Sequence, residues 1–134
     1  MKQKTLFLIL FTVCICLTSC SGGIKSFDDV VDHFGEDEYY ITRKTTSQIA
    51  EYEAARAEDA QALGKTMTGE VDFLVHIHHK ESTDENPNWA YVVQFSDENG
   101  AIELEGIINP NWKHKRFGKV LVYGWTPVID EISE

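Results

Sequence analysis

Four apolar residues, Phe27, Val30, Val31 and Phe34, recur at i, i+3, i+4 and i+7, the spacing of one helical face. Ser26 stands as N-cap with Asp29 three positions on, a variant of the capping box, and Asp28, Asp29 and Asp32 suit the positive end of the helix dipole. Gly35 is a natural stop. After the acidic turn Glu36, Asp37 and Glu38, the β-prone Tyr39, Tyr40, Ile41 and Thr42 predict a short strand. Residues 47–63, SQIAEYEAARAEDAQAL, predict the longest helix, with a cap at Thr46 or Ser47 and Gly64 as stop. Its apolar face is thin, made of Ile49, Tyr52, Leu63 and several alanines, so it is expected to lie across a sheet surface.

The spacing then changes from 3.6 to 2. Residues 70–80, 89–96, 101–108 and 117–125 read as strands, with loops over 81–88 and 109–116. Asn99-Gly100, between two β-prone runs, is the strongest hairpin signal in the chain, because both residues tolerate positive φ in a type I′ turn. No internal repeat or low-complexity stretch is read. The expected fold is α+β: two helices packed on one face of a four- to five-stranded, mainly antiparallel sheet.

The first residues have another character. Lys2 and Lys4 precede an uncharged run over 5–17, TLFLILFTVCICL, the layout of a secretory signal segment. Its 13 residues fall short of the ~20 that a spanning helix needs. Cys14 and Cys16 within it act as small apolar fillers. The next residues, Leu17, Thr18, Ser19 and Cys20, resemble the lipobox of bacterial lipoproteins. That resemblance implies diacylglyceryl transfer to the Cys20 thiol, with cleavage between Ser19 and Cys20. The implied organisation is a cleaved signal peptide over 1–19, a lipidated tether over 20–25 and a single α+β domain over 26–134. Two or three acyl chains hold a protein stably, at about 0.8 kcal/mol per buried methylene. The expected location is a membrane, lipid-anchored and facing out of the cytoplasm.

Loss of the signal changes the charge as well. The remaining 115 residues hold 10 Lys plus Arg against 22 Asp plus Glu, a formal charge of −12. Such a balance argues against nucleic acid as a partner. With Cys20 taken by lipid, the domain has no thiol left, so it has no disulfide and no cysteine nucleophile.

Three features are candidates for chemistry. His76 and His78, in VHIHHK, point to one face of a strand about 7 Å apart and could share a zinc ion. No spacing in the sequence fixes a third ligand, so a solvated strand face is the preferred reading. A basic loop, with Trp112, Lys113, Lys115, Arg116 and Lys119, is a local exception in an acidic chain; it could meet an envelope protein, an anionic ligand or headgroups, or simply keep strand edges soluble. Period 2 places Trp89, Tyr91, Val93 and Phe95 on one face and Phe117, Leu121, Tyr123 and Trp125 on another, where core packing is the more economical use. No nucleophile elbow, phosphate loop or paired-cysteine motif occurs. The expectation is a non-enzymatic interaction module, with a metal-binding protein using His76 and His78 as the alternative and a small hydrolase ranked below both.

Overall fold

The computed structural model describes residues 25–133. In chain order these form α1 (Phe27–Val31), β1 (Tyr39–Arg43), α2 (Thr46–Ala62), β2 (Val71–His79), β3 (Trp89–Phe95), α3 (Glu98–Glu105), β4 (Lys113–Phe117), β5 (Val120–Trp125) and α4 (Val128–Glu131). The strands make one sheet in the order β1-β2-β3-β5-β4, and every neighbouring pair is antiparallel. The α+β class and the five-stranded antiparallel sheet agree with the sequence reading. The predicted signal segment, Cys20 and residues 21–24 of the predicted tether lie outside the described residues.

Both faces of the sheet are covered. On one, Val75, Ile77, Ala90, Val92, Val120 and Val122 pack with Phe27, Val30, Val31 and Phe34 from α1 and the turn after it, and with Ile129 and Ile132 at α4. On the other, Leu74, Val93, Phe95, Leu121 and Tyr123 pack with Tyr52 of α2 and with Ala101 and Leu104 of α3. The pair of helices sharing a face is therefore α2 and α3, with α1 opposite them. The central strands explain why. WAYVVQF and VLVYGW are apolar at nearly every position, a composition that suits a strand buried on both sides rather than one with a wet face.

Local signals act largely as read. Ser26 and Asp29 form a full capping box, and the α1 stripe is buried. The α2 cap is Thr45, one residue before the predicted positions, paired with Gln48 in a second capping box. Gly64 takes φ +72° just past the helix end, the left-handed stop that glycine supplies without strain. Leu63, expected on the buried face, is the exposed C-cap.

Two strand boundaries are overturned. The segment predicted as a strand over 101–108 is largely helix α3, and Asn99-Gly100 is its first turn rather than a hairpin. Asp97 caps it by accepting from Gly100 N–H at 3.1 Å, and Ala101 and Leu104 bury themselves at i and i+3. Gly100 is needed for space: a Cβ there would lie 2.5 Å from Cδ1 of the buried Phe95. The second correction splits residues 113–125 into a hairpin, β4 and β5, around Gly118 and Lys119. Gly118 at φ +62° fills the first central position of the two-residue turn, where a type II′ hairpin calls for glycine. The basic run thus becomes an edge strand, and its charges discourage pairing with a further strand.

Candidate functional site

His76 and His78 do share a face, with ring centroids 6.0 Å apart. That face is the one under α2. Both rings are half-buried, and His76 lies 4.7 Å from the Tyr91 ring. Burial holds the His76 imidazole below its ordinary pKa, helped by the charges of Lys44 and His78. Among the described residues, no group of three His, Cys, Asp or Glu side chains is assembled that could hold a metal. The pair could supply two imidazole ligands, and the fold brings no described third one to them.

The basic run is divided between the two faces of its strand. Lys113 and Lys115 reach the C-terminal segment: Lys113 Nζ lies 2.5 Å from Asp130 Oδ2, and Lys115 Nζ donates to the carbonyls of Asp130 at 3.2 Å and Ile132 at 2.6 Å. His114 and Arg116 reach α3 on the other side. His114 Nε2 is 3.6 Å from Glu105, and Arg116 pairs with Glu105 at 3.3 Å and Glu98 at 3.6 Å. Most of this charge acts as a strap between β4 and two helices. Lys119 is exposed in the hairpin turn, and the half-buried Trp112 packs inward against Tyr123.

Trp89, Tyr91, Val93 and Phe95 share a face as predicted, and Leu121 and Tyr123 lie with them. Phe117 lies on the opposite face because the hairpin turn intervenes. Tyr91 and Trp112 both stack on Tyr123, with centroids 5.6 and 6.0 Å away. At the centre, the hydroxyls of Tyr52 and Tyr123 are 2.5 Å apart. Burial raises Tyr52 well above its ordinary pKa and pushes Tyr123 up to about 12. The Arg56 guanidinium lies 4.9 Å over the Tyr52 ring, and its Nε sits 2.9 Å from Asp59 without hydrogen-bond geometry. A cavity of about 110 Å³ beside Arg56 and Tyr123 is too small for more than a few solvent molecules.

The larger space is a groove of about 650 Å³ at the end of the sheet where β2 leaves and β3 enters. Its lining is His79, Glu81, Asn86, Pro87, Asn88, Asn111, Lys113, Trp125, Thr126 and Pro127. The volume falls within the ~300–1,000 Å³ usual for small-molecule sites. A buried polar chain braces its floor. Tyr39 Oη donates to Asn88 Oδ1 at 3.2 Å and lies 3.4 Å from Oγ1 of Thr126, itself only 3% exposed. Ser82 Oγ accepts from Asn88 N–H at 2.9 Å, and Thr126 Oγ1 accepts from Val128 N–H at 3.3 Å. His79 stacks edge-on against Tyr39, and its Nδ1 accepts from Glu81 N–H at 3.1 Å, which assigns the remaining ring proton to Nε2.

Trp125 forms one wall and is 45% exposed, an unusual state for an indole in so small a domain. The preceding Gly124, at φ +156°, sets where it stands. A Cβ at Gly124 would lie 2.3 Å from the Trp89 carbonyl oxygen, so only glycine permits this approach of β5 to β3.

Of the predicted patch, only Lys113 lines this groove; His79, the three asparagines and Thr126 were not singled out by sequence reasoning. A signal existed. The tetrapeptide Asn-Pro-Asn-Trp occurs at residues 86–89 and again at 109–112. The fold brings the two copies together: Trp89 and Trp112 meet edge to face at 5.0 Å, while Asn86, Asn88 and Asn111 line the groove. Four residues are too few to register as a structural repeat.

No family model, curated protein or solved structure matches the chain. The site's chemistry must therefore be read from its own groups. Those groups stack and hydrogen-bond. Glu81 is the one carboxylate in the lining, so the spaced acid pair of a glycosidase is not present there among the described residues.

Proposed function

We propose that this chain is an exported lipoprotein, tethered to a membrane through acyl chains on Cys20, whose folded domain is a non-enzymatic binding module using the groove around Trp125. The tether half of this reading is supported by the order of charge, apolar run, small residues and cysteine in residues 1–20. The binding half is carried by one observation: a 650 Å³ groove with an exposed indole and three side-chain amides, of which Asn88 is held by Tyr39.

Each half has its own test. In cells fed an alkyne-bearing fatty acid, the wild-type chain should take the label and the Cys20→Ser variant should not; persistent labelling would place the lipid elsewhere. For the module, soluble envelope fractions should quench wild-type tryptophan fluorescence saturably, and Trp125→Ala should remove that response. Equal responses from both proteins would take the groove out of the reading.

A second reading is favoured by the 6.0 Å spacing of His76 and His78 and by the burial that lowers the His76 pKa. It makes the chain a zinc-binding protein. Zinc titration against a His76→Ala, His78→Ala double variant decides it, since equal, weak binding by both forms ends the metal reading.

A further inference from the structure

We infer that the groove around Trp125 takes a neutral pyranose oligosaccharide, an assignment that rests on the binding-module reading and gives it a ligand class. Charge gives the first argument. Lys113 is neutralised by Asp130 at 2.5 Å, which leaves Glu81 as the uncompensated charge of the lining, within a domain of formal charge −12 once residues 1–19 are removed. A polyanion arriving there meets like charge and gains no free cation. The strap that consumes Lys113 therefore sets the ligand's charge class.

Shape and polarity narrow the class further. Aliphatic side chains are missing from the lining, whose apolar surface is Trp125 flanked by Pro87 and Pro127. An acyl chain or hydrophobic peptide would find no pocket to fill. A pyranose ring has the matching mixture, because its axial C–H groups form a flat apolar face that stacks on indole while its rim carries hydroxyls. Those hydroxyls each donate and accept, and a side-chain amide offers both functions in one plane.

Three amides face this space. Asn88 accepts from Tyr39 through its oxygen, and its NH2 can only donate. Asn86 and Asn111 anchor their loops through backbone N–H groups, to Thr83 Oγ1 at 3.0 Å and Asn109 Oδ1 at 2.9 Å, and among the described residues their side-chain amides have no protein partner. His79 Nε2–H adds a fourth donor. Pro87 and Pro127 stiffen the two loop ends, so ordering costs are largely met before binding. A peptide competes less well for this site, because the lining is loop and strand-end side chains and offers no backbone ladder for an extended chain to join.

The test uses the full-length lipidated chain in detergent micelles, with tryptophan fluorescence and titration calorimetry as readouts. Neutral probes are maltotriose, cellotriose and triacetylchitotriose; trigalacturonic acid, acetyl-trialanine amide and choline represent other chemistries. At least one neutral trisaccharide should bind saturably. Trp125→Ala should weaken it about tenfold and Asn111→Ala about threefold, the scale of one stacking contact and one hydrogen bond. Trp125→Phe should retain most of the affinity. Both sites are exposed, and an unchanged thermal melt confirms that each variant folds.

Three results overturn the inference. Trisaccharide binding that Trp125→Ala leaves unchanged places the sugar elsewhere and leaves the tethered module standing. Binding of the anionic, peptide or choline probe through Trp125, with no sugar bound, keeps the groove and replaces its ligand class. Silence from every probe, together with no Trp125-dependent response to envelope fractions, removes both the sugar and the groove.

Discussion

At the scale of single residues, the Tyr52 and Tyr123 hydroxyls form a close polar contact, 2.5 Å apart between two buried side chains. One donates and the other accepts. Tyr52→Phe would strand the Tyr123 hydroxyl and should cost about 1–3 kcal/mol, whereas the double Tyr52→Phe, Tyr123→Phe variant should cost little more than either single change. Urea melts of the four proteins measure this coupling, and strict additivity would deny the bond. His76 makes a different prediction, in pH. Its pKa is held down by burial, then by Lys44 and His78, so on acidification the unfolded chain takes the proton first. Stability is therefore lost as pH falls below ~6.5, and the loss stops where the folded ring protonates. The drop in Tm between pH 7 and pH 5 should be smaller in His76→Gln than in wild type; identical drops would exclude His76 as a contributor.

At the scale of elements, α3 is where local pattern and tertiary packing disagree most. In DENGAIELEG, the pair Asn-Gly and the alternation after it suit a hairpin, yet the Asp97 cap and the i, i+3 burial of Ala101 and Leu104 suit a helix. Packing decides between them. The helix seats Glu103 where its carboxylate accepts from Thr68 N–H at 3.1 Å and Gly69 N–H at 2.9 Å, contacts between residues 34 and 35 apart that no local rule contains. Two substitutions test this. Asn99→Ala, exposed in a helix, should be neutral or slightly stabilising, whereas in an Asn-Gly hairpin it would be harmful. Gly100→Ala should gain up to ~1 kcal/mol in helix propensity but lose about 2 kcal/mol by pressing on Phe95, a net loss. Thermal melts showing the reverse order would restore the hairpin.

The same contrast explains what the sequence made legible. The α1 capping box and stripe, Gly64 and the Trp89–Phe95 alternation are written within a few residues of where they act, and so they are legible in the sequence. The groove is assembled from three segments, 79–88, 111–113 and 125–127, separated by 23 and 12 residues along the chain, and only the doubled Asn-Pro-Asn-Trp hints at it. The basic run was visible as charge. Its use as a strap depends on Asp130, Glu98 and Glu105, whose positions the fold supplies.

At the scale of the whole molecule, the sheet is stable only while both its faces are covered, and one of those covers is small. The face opposite α2 and α3 is closed at one end by α4, a helix of four residues with no side-chain cap. So short a helix cannot hold itself in water. It is kept in place by Ile129 and Ile132, 1% and 0% exposed, and by the Lys115 ammonium bonded to the carbonyls of Asp130 and Ile132. Ile132→Ala should cost about 2–5 kcal/mol, and Lys115→Met about 1–2 kcal/mol, out of the ~5–15 kcal/mol total usual for a domain of this size. Both changes release the same segment. The double variant should therefore cost less than the sum, because once Ile132 has lost its seat the lysine has a weaker carbonyl to hold. Urea denaturation followed by tryptophan fluorescence measures all three, and a midpoint unchanged in Ile132→Ala would show that the sheet does not depend on this cover. Loosening it should reach the proposed binding groove as well, since Asp130 then no longer pairs with Lys113, and the freed cation should make the groove bind an anionic trisaccharide better than the intact domain does.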